Sequence, residues 1–163
     1  MSMWFECRLK YQKIDENGKE KKVSELYLVE AVTFTDAESR INKEIEAYIS
    51  GEFNVVNIKI ANYSEIIPYE GGDKWFKSKV VFTSLDEEKG KERKTNAYML
   101  VQAENLKEAF ENLDKAMEGT ISDYTIAAIA ESPIMDLFPY FSENNQEHIP
   151  NNLTPVSEID NED

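Results

Sequence analysis

The chain has 163 residues, with 18 Lys and Arg against 32 Asp and Glu, and a formal net charge of −14. A surplus of that size repels phosphates and argues against generic polyanion binding. No apolar run approaches the roughly 20 residues of a membrane span. Met1–Lys10 lacks the basic-then-apolar pattern of a secretory signal. The single cysteine, Cys7, permits neither an internal disulfide nor a Cys-rich metal site. The expectation is a cytoplasmic globular protein with no membrane association.

Trp4–Lys13 alternates, with Phe5, Cys7, Leu9 and Tyr11 on one face and Trp4, Glu6, Arg8 and Lys10 on the other. That is the pattern of a half-buried strand. Asp15-Glu16-Asn17-Gly18 reads as a hairpin turn, because Asn-Gly supplies positive φ at little cost, and Val23–Ala31 is the return strand. Thr33 or Thr35 can cap a helix running to about Ile49. Its apolar positions are Phe34, Ala37, Ile41, Ile45 and Tyr48 or Ile49, and Gly51 is its stop. Phe53–Ile60 is a third strand. Pro68–Asp73, with Pro and paired Gly, reads as a linker. The same elements then recur as Trp75–Leu85, Thr95–Ala103, a helix from Glu104 or Asn105 to Met117, and Tyr124–Ala130. Residues 142–163 carry six acids (Glu143, Glu147, Glu158, Asp160, Glu162, Asp163) and no Lys or Arg, which leaves about −8 for the body. This end is expected to be a flexible acidic tail.

The recurrence extends to residue identity. Trp4-Phe5 matches Trp75-Phe76, and Asp15-Glu16 matches Asp86-Glu87, at an offset of 71. Gly18 to Lys22 matches Gly90 to Lys94, and Leu28-Val29-Glu30-Ala31 matches Leu100-Val101-Gln102-Ala103, at 72. The offset returns to 71 after Gly51, so that Phe53, Ile58 and Pro68-Tyr69 match Tyr124, Ile129 and Pro139-Tyr140. Both length changes fall in loops, where insertions are cheap. The reading is a tandem duplication of one ββαβ unit: 1–70 is repeat one, 71–141 repeat two, and 142–163 the tail. One helix covers one face of a small sheet. The expected class is therefore α+β, mainly antiparallel. The repeats would form a pseudo-twofold pair with helices on one side, or join edge to edge as a six-stranded sheet.

Trp-Phe at both starts, Ile14-Asp15-Glu16-Asn17-Gly18-Lys19, Ala61-Asn62-Tyr63-Ser64-Glu65-Ile66, and Pro133-Ile134-Met135-Asp136 with Phe138-Pro139-Tyr140-Phe141 carry a family resemblance. Over about residues 3–141 the chain resembles an uncharacterised family of Bacteroidetes bacteria and their phages, domain of unknown function 4494. The resemblance implies a bacterial or phage cytoplasmic setting. It supplies no catalytic or binding residue.

The residues themselves point away from catalysis. The one histidine, His148, lies in the tail, where nothing holds a base within reach of a substrate. Cys7 falls on the core face opposite Ser78 of the second copy, and the reading is a buried structural thiol. Glu65 and Asp136 occupy equivalent positions. They read as caps or tethers for the Pro-Tyr ends rather than as an acid–base pair. No cofactor and no metal are expected, and the chain is expected not to be an enzyme.

Charge placement says more. Thirteen of the 18 basic residues lie on the two hairpins. The face away from the core holds Trp4, Arg8 and Lys10 in the first copy and Trp75, Lys77 and Lys79 in the second. An aromatic ring beside cations on an open sheet can hold a protein loop or a small anion, or bases and phosphates. Equally, basic chains on exposed strands keep edges from aggregating, and a Trp at a strand start anchors packing. The expectation is a non-enzymatic binding or adaptor protein with a protein partner and a phage or mobile-element association. A nucleic-acid accessory protein with an autoinhibitory tail and a small-molecule sequestering protein are the alternatives.

Overall fold

The structure, a computed structural model, describes residues 2–139. The chain divides into two compact units. Of the described residues, unit 1 comprises Ser2–Asn62 together with Pro133–Pro139, and unit 2 comprises Tyr63–Ser132. The expected tail, His148 included, lies outside the described residues.

Unit 1 opens with a long hairpin, β1 (Met3–Ile14) and β2 (Glu20–Ala31). Both arms reach closer to the turn than the alternation suggested. Gly18 takes φ +80°, and Asp15 Oδ1 accepts from the Asn17 and Lys19 amides, each at 2.9 Å. Helix α1 (Phe34–Glu46) starts at Thr33, whose side chain accepts from the Asp36 amide. Asp36 accepts in return from the Val32 amide at 2.9 Å, so one orphan donor of the first turn is satisfied and the chain entering the helix is tied to it. The helix ends at Glu46, before the expected Ile49. The Tyr48 and Ile49 amides both donate to Ile45 O (2.9 and 3.0 Å), which closes the last turn and turns the chain out. β3 (Phe53–Ala61) then pairs antiparallel with β1, with a bulge opposite Arg8/Leu9.

Unit 2 repeats this plan with β5 (Lys74–Asp86), β6 (Lys91–Ala103), α2 (Leu106–Ala116) and β7 (Asp123–Ser132). Asn105 caps α2. Glu108 accepts from the Glu104 amide at 2.8 Å, and the bulge recurs opposite Lys79/Val80.

Each sheet has four strands where the ββαβ reading expected three. The fourth strands are β4 (Glu65–Ile67) and β8 (Ile134–Phe138), and they are exchanged between the sequence repeats. β8 pairs parallel with β2 of unit 1, and β4 pairs parallel with β6 of unit 2. The strand orders are β3-β1-β2-β8 and β7-β5-β6-β4, reading the second sheet from its other edge. The architecture is α+β with two mainly antiparallel sheets. The compact units divide the chain differently from the expected repeats 1–70 and 71–141.

Within each unit the helix packs its apolar stripe on one sheet face. In unit 1, Ala37, Ile41 and Ile45 are fully buried, as are Phe5, Cys7, Leu9 and Val29 of the strands they face. In unit 2, Val80, Met99, Val101, Leu113 and Met117 form the core, closed by Ile67, Phe82 and Tyr124. A helix side chain also ties each second strand. Arg40 Nη1 donates to Glu30 O and Nη2 to Pro139 O (3.0 Å), and Asn112 Nδ2 donates to Gln102 O at 3.1 Å. Among the described residues no helix is long and apolar enough to cross a membrane.

The segment read as a linker is built into unit 2. The buried Gln102 side chain accepts from the Tyr69 amide and donates to Gly72 O, each at 2.9 Å. Buried polar groups need such partners, and this one clamps the 69–72 turn across the end of β6.

Candidate binding faces

Antiparallel register puts directly opposed residues on one side of a sheet. In unit 1 the face away from α1 therefore carries Trp4, Glu6, Arg8 and Lys10 of β1. Opposite them stand Glu30, Leu28, Leu26 and Ser24 of β2, and Ala61, Lys59, Asn57 and Asn54 of β3. Arg8 and Lys10 are exposed, as expected, while Trp4 is half-buried. Glu6 is neutralised by Lys59 at 3.1 Å. Arg8 Nη1 donates to Ser24 Oγ at 3.1 Å. Lys22, opposite Gln12, extends the face toward the turn. No carboxylate of a described residue lies within 4.0 Å of Arg8, Lys10 or Lys22. Among the described residues, then, three cations of one face stand without a counter-ion.

Unit 2 departs from the expectation. Trp75 is 1% exposed, so its ring is not a platform for a partner. Its cross-strand neighbour is Gln102, the residue that holds the 69–72 turn, so this end of the face is covered. Lys77 is exposed and Lys79 half-buried. The rings beside the cation are tyrosines: Lys77 Nζ lies 5.0 Å from the Tyr98 centroid and 5.9 Å from that of Tyr63. Such contacts contribute about 0.5–2 kcal/mol. Tyr98 shares its face with Lys79 by register, a relation readable from alternation in β6. Tyr63 sits in the β3–β4 loop, where no periodicity reveals it. The six expected residues therefore split into Trp4, Arg8 and Lys10 in unit 1, and Trp75, Lys77 and Lys79 in unit 2.

On the helix side of unit 1 lies a cluster that sequence reasoning passed over. Tyr27 and Phe138 stack at 5.8 Å, and Phe138 and Tyr48 at 6.3 Å. Tyr27 Oη donates to Glu25 Oε1 at 3.1 Å. Burial first, then the Glu25 charge and this hydrogen bond, push the Tyr27 phenol well above its ordinary range. The Tyr11 phenol is raised by burial and then by its own hydrogen bond to Glu25. Shallow grooves lie beside the bulges against the helix starts, a mixed one in unit 1 and an apolar one in unit 2. One is about 380 Å³ beside Phe34 and Val56, and the other about 280 Å³ beside Leu106, Phe110 and Ala127.

Cys7 is buried, as expected. Burial, then Glu6, pushes its thiol up to about 12. Since the unfolded chain ionises this thiol near its usual value of about 8.5, the folded state holds the proton longer. Stability contributed by the neutral thiol is full below about pH 8.5 and declines as pH rises toward 12. Alkaline thermal melts should show this decline, and Cys7→Ser should lessen it. A native thiol that reacts with a disulfide reagent at about pH 8 as fast as the denatured one would contradict the burial.

No curated protein matches the chain. A family model does, over residues 3–140, from the Trp-Phe start of β1 to the Pro-Tyr that follows β8, so its span takes in both exchanged strands. The chain therefore belongs to the family described as Domain of unknown function (DUF4494).

Proposed function

We propose that the chain is a non-enzymatic binding or adaptor protein whose unit 1 sheet face takes an acidic protein segment. The observation that carries the reading is the set Arg8, Lys10 and Lys22, exposed on one face without a carboxylate within 4.0 Å among the described residues. Arg8 and Lys10 are two residues apart on one strand, about 7 Å. Asn54, Asn57 and Ser24 add donors and acceptors suited to a peptide backbone. A nucleic-acid partner is less well served. Single strands need exposed stacking rings, whereas Trp75 is buried and Trp4 half-buried, and the net charge of −14 opposes long polyanions. The family resemblance adds a phage or mobile-element setting to this reading.

The test is anisotropy with a fluorescent glutamate-rich peptide at low salt. An exposed ion pair is worth about 0.2–1 kcal/mol, and reversing the charge adds repulsion in its place. Changing Arg8, Lys10 and Lys22 to Glu together should therefore weaken binding about ten- to hundredfold. The intact chain should lose affinity steeply as salt rises. Equal binding by the triple variant would remove the proposal, and preference for an oligothymidine over the peptide would move it to nucleic acid.

A further inference from the structure

The two units share a strand order, yet they close the far end of the helix face with opposite chemistry. Unit 2 fills this region with Phe82, Met99, Ala97, Ile67 and Met117, all packed in its core. At the matching places unit 1 carries Tyr11, Tyr27, Glu25, Phe138 and Ile45. The same fold thus accepts an apolar plug, and unit 1 instead places two phenols and a carboxylate there. Polar groups in partly buried sites cost free energy that apolar ones do not.

One of these phenols, Tyr11, borders a cavity. A volume of about 400 Å³ is lined by Tyr11, Lys13, Tyr48, Ile49 and Ser50, among others, within the size range of small-ligand sites, about 300–1,000 Å³. Two lining residues, Tyr48 with the rings stacked behind it and Lys13 with the lysine across the hairpin, point to one ligand chemistry. The first ends the ring stack Tyr27–Phe138–Tyr48 and is 63% exposed. An open ring at the end of a stack is a platform for a further flat ring. The second is cationic. Lys13 lies directly opposite Lys21 across the hairpin, on the same face as Tyr11, and like charges so placed repel. No carboxylate of a described residue lies within 4.0 Å of either. Asp15 and Glu16 also border this end, and Asp15 turns one oxygen to the Asn17 and Lys19 amides.

We propose that this end of unit 1 binds a mononucleotide, with the base stacked on Tyr48 and the phosphate held by Lys13 and Lys21. Direction follows from charge. Glu25 faces Leu9 across the hairpin, four residues from Lys13 and so about 13 Å along the strand. The phosphate end therefore lies at the two lysines, between Glu25 and the turn acids Asp15 and Glu16, and the base lies toward Tyr48. In unit 2 the matching residues are Ser84, Arg93 and Thr120, which lack both the ring and the paired lysines, so one site per chain is expected.

Calorimetric titration of the full chain with AMP, GMP, UMP and CMP at low ionic strength tests this, with adenosine and inorganic phosphate as separate arms. One or more nucleotides should bind at one site per chain, and both the nucleoside and the phosphate should bind at least about tenfold more weakly. Tyr48→Ala and Lys13→Glu, both at exposed positions, should each weaken binding about tenfold, with unchanged circular dichroism. Arg8→Glu, on the opposite sheet face, should leave it unaltered, which separates this site from the proposed peptide face. Absence of saturable binding at millimolar nucleotide, phosphate binding as tight as nucleotide, or wild-type affinity in the Tyr48 variant would each overturn the proposal.

Discussion

A chain ending at Ser132 is expected to lose the folded state of unit 1, although every residue of β1, β2, α1 and β3 is still present. The truncation removes β8, whose Ile134, Leu137 and Phe138 are 5%, 2% and 3% exposed. Burying such side chains is worth about 1.5–3 kcal/mol each, so their loss costs about 5–9 kcal/mol. The Arg40–Pro139 bond and the parallel ladder with β2 go too. Whole domains have stabilities of about 5–15 kcal/mol, so the loss is of the same order as the total. Hydrogen exchange reads the outcome. Amides of β1 and β2 should fall to near-unprotected rates in the 132-residue chain and stay protected in one ending at residue 141. A synthetic peptide covering 133–139 should restore protection in trans. Full protection without β8 would show that the exchanged strand is ornamental.

Gly72→Ala is expected to destabilise unit 2 far more than Gly71→Ala, one residue away. Gly72 is buried, and a Cβ there would lie 2.6 Å from Ala103 Cα and 2.7 Å from the Ala103 N and C. Those atoms belong to β6 and cannot swing aside. Overpacking of this kind costs about 1–3 kcal/mol or more, because either β6 or the turn held by Gln102 must move. Its φ is not positive, so space rather than backbone freedom requires the glycine. At Gly71 a Cβ would meet the Tyr69 ring at 3.0 Å, an exposed side chain free to rotate, and a surface change of that sort stays within about 0.5 kcal/mol. Thermal melts should separate the two by several degrees. Equal melting temperatures would mean that the 69–72 turn is not docked against β6.

Much of this fold is legible in the sequence, because local rules govern it. The period of two in Phe5, Cys7 and Leu9 set the buried side of β1, the turn at Gly18 set the hairpin, and each helix start was narrowed to two candidates, of which Thr33 and Asn105 are the caps. β4 and β8 were not legible. They are three and five residues long, each next to a proline, and strands only by virtue of partners distant in sequence. The candidate face was half legible for a related reason. Alternation assigns Trp75 to a side of the sheet, but whether that side is covered depends on the Gln102 clamp, which joins residues 30 and 33 positions apart. The tyrosine cluster left a fainter trace. Tyr11 and Tyr27 stand where the second copy has Phe82 and Met99, a departure that gains meaning only when Phe138 arrives beside them.

The exchange of fourth strands also sets a timetable for biosynthesis. β2 is complete at residue 31, while the strand that covers its edge ends at residue 138. At about 5–20 residues per second of synthesis, that edge waits on the order of 5–20 s with its backbone donors and acceptors open. An open edge recruits any extended chain nearby. Slower translation is therefore expected to raise the share of exchanged dimers over monomers, which size-exclusion chromatography of the freshly made chain would read.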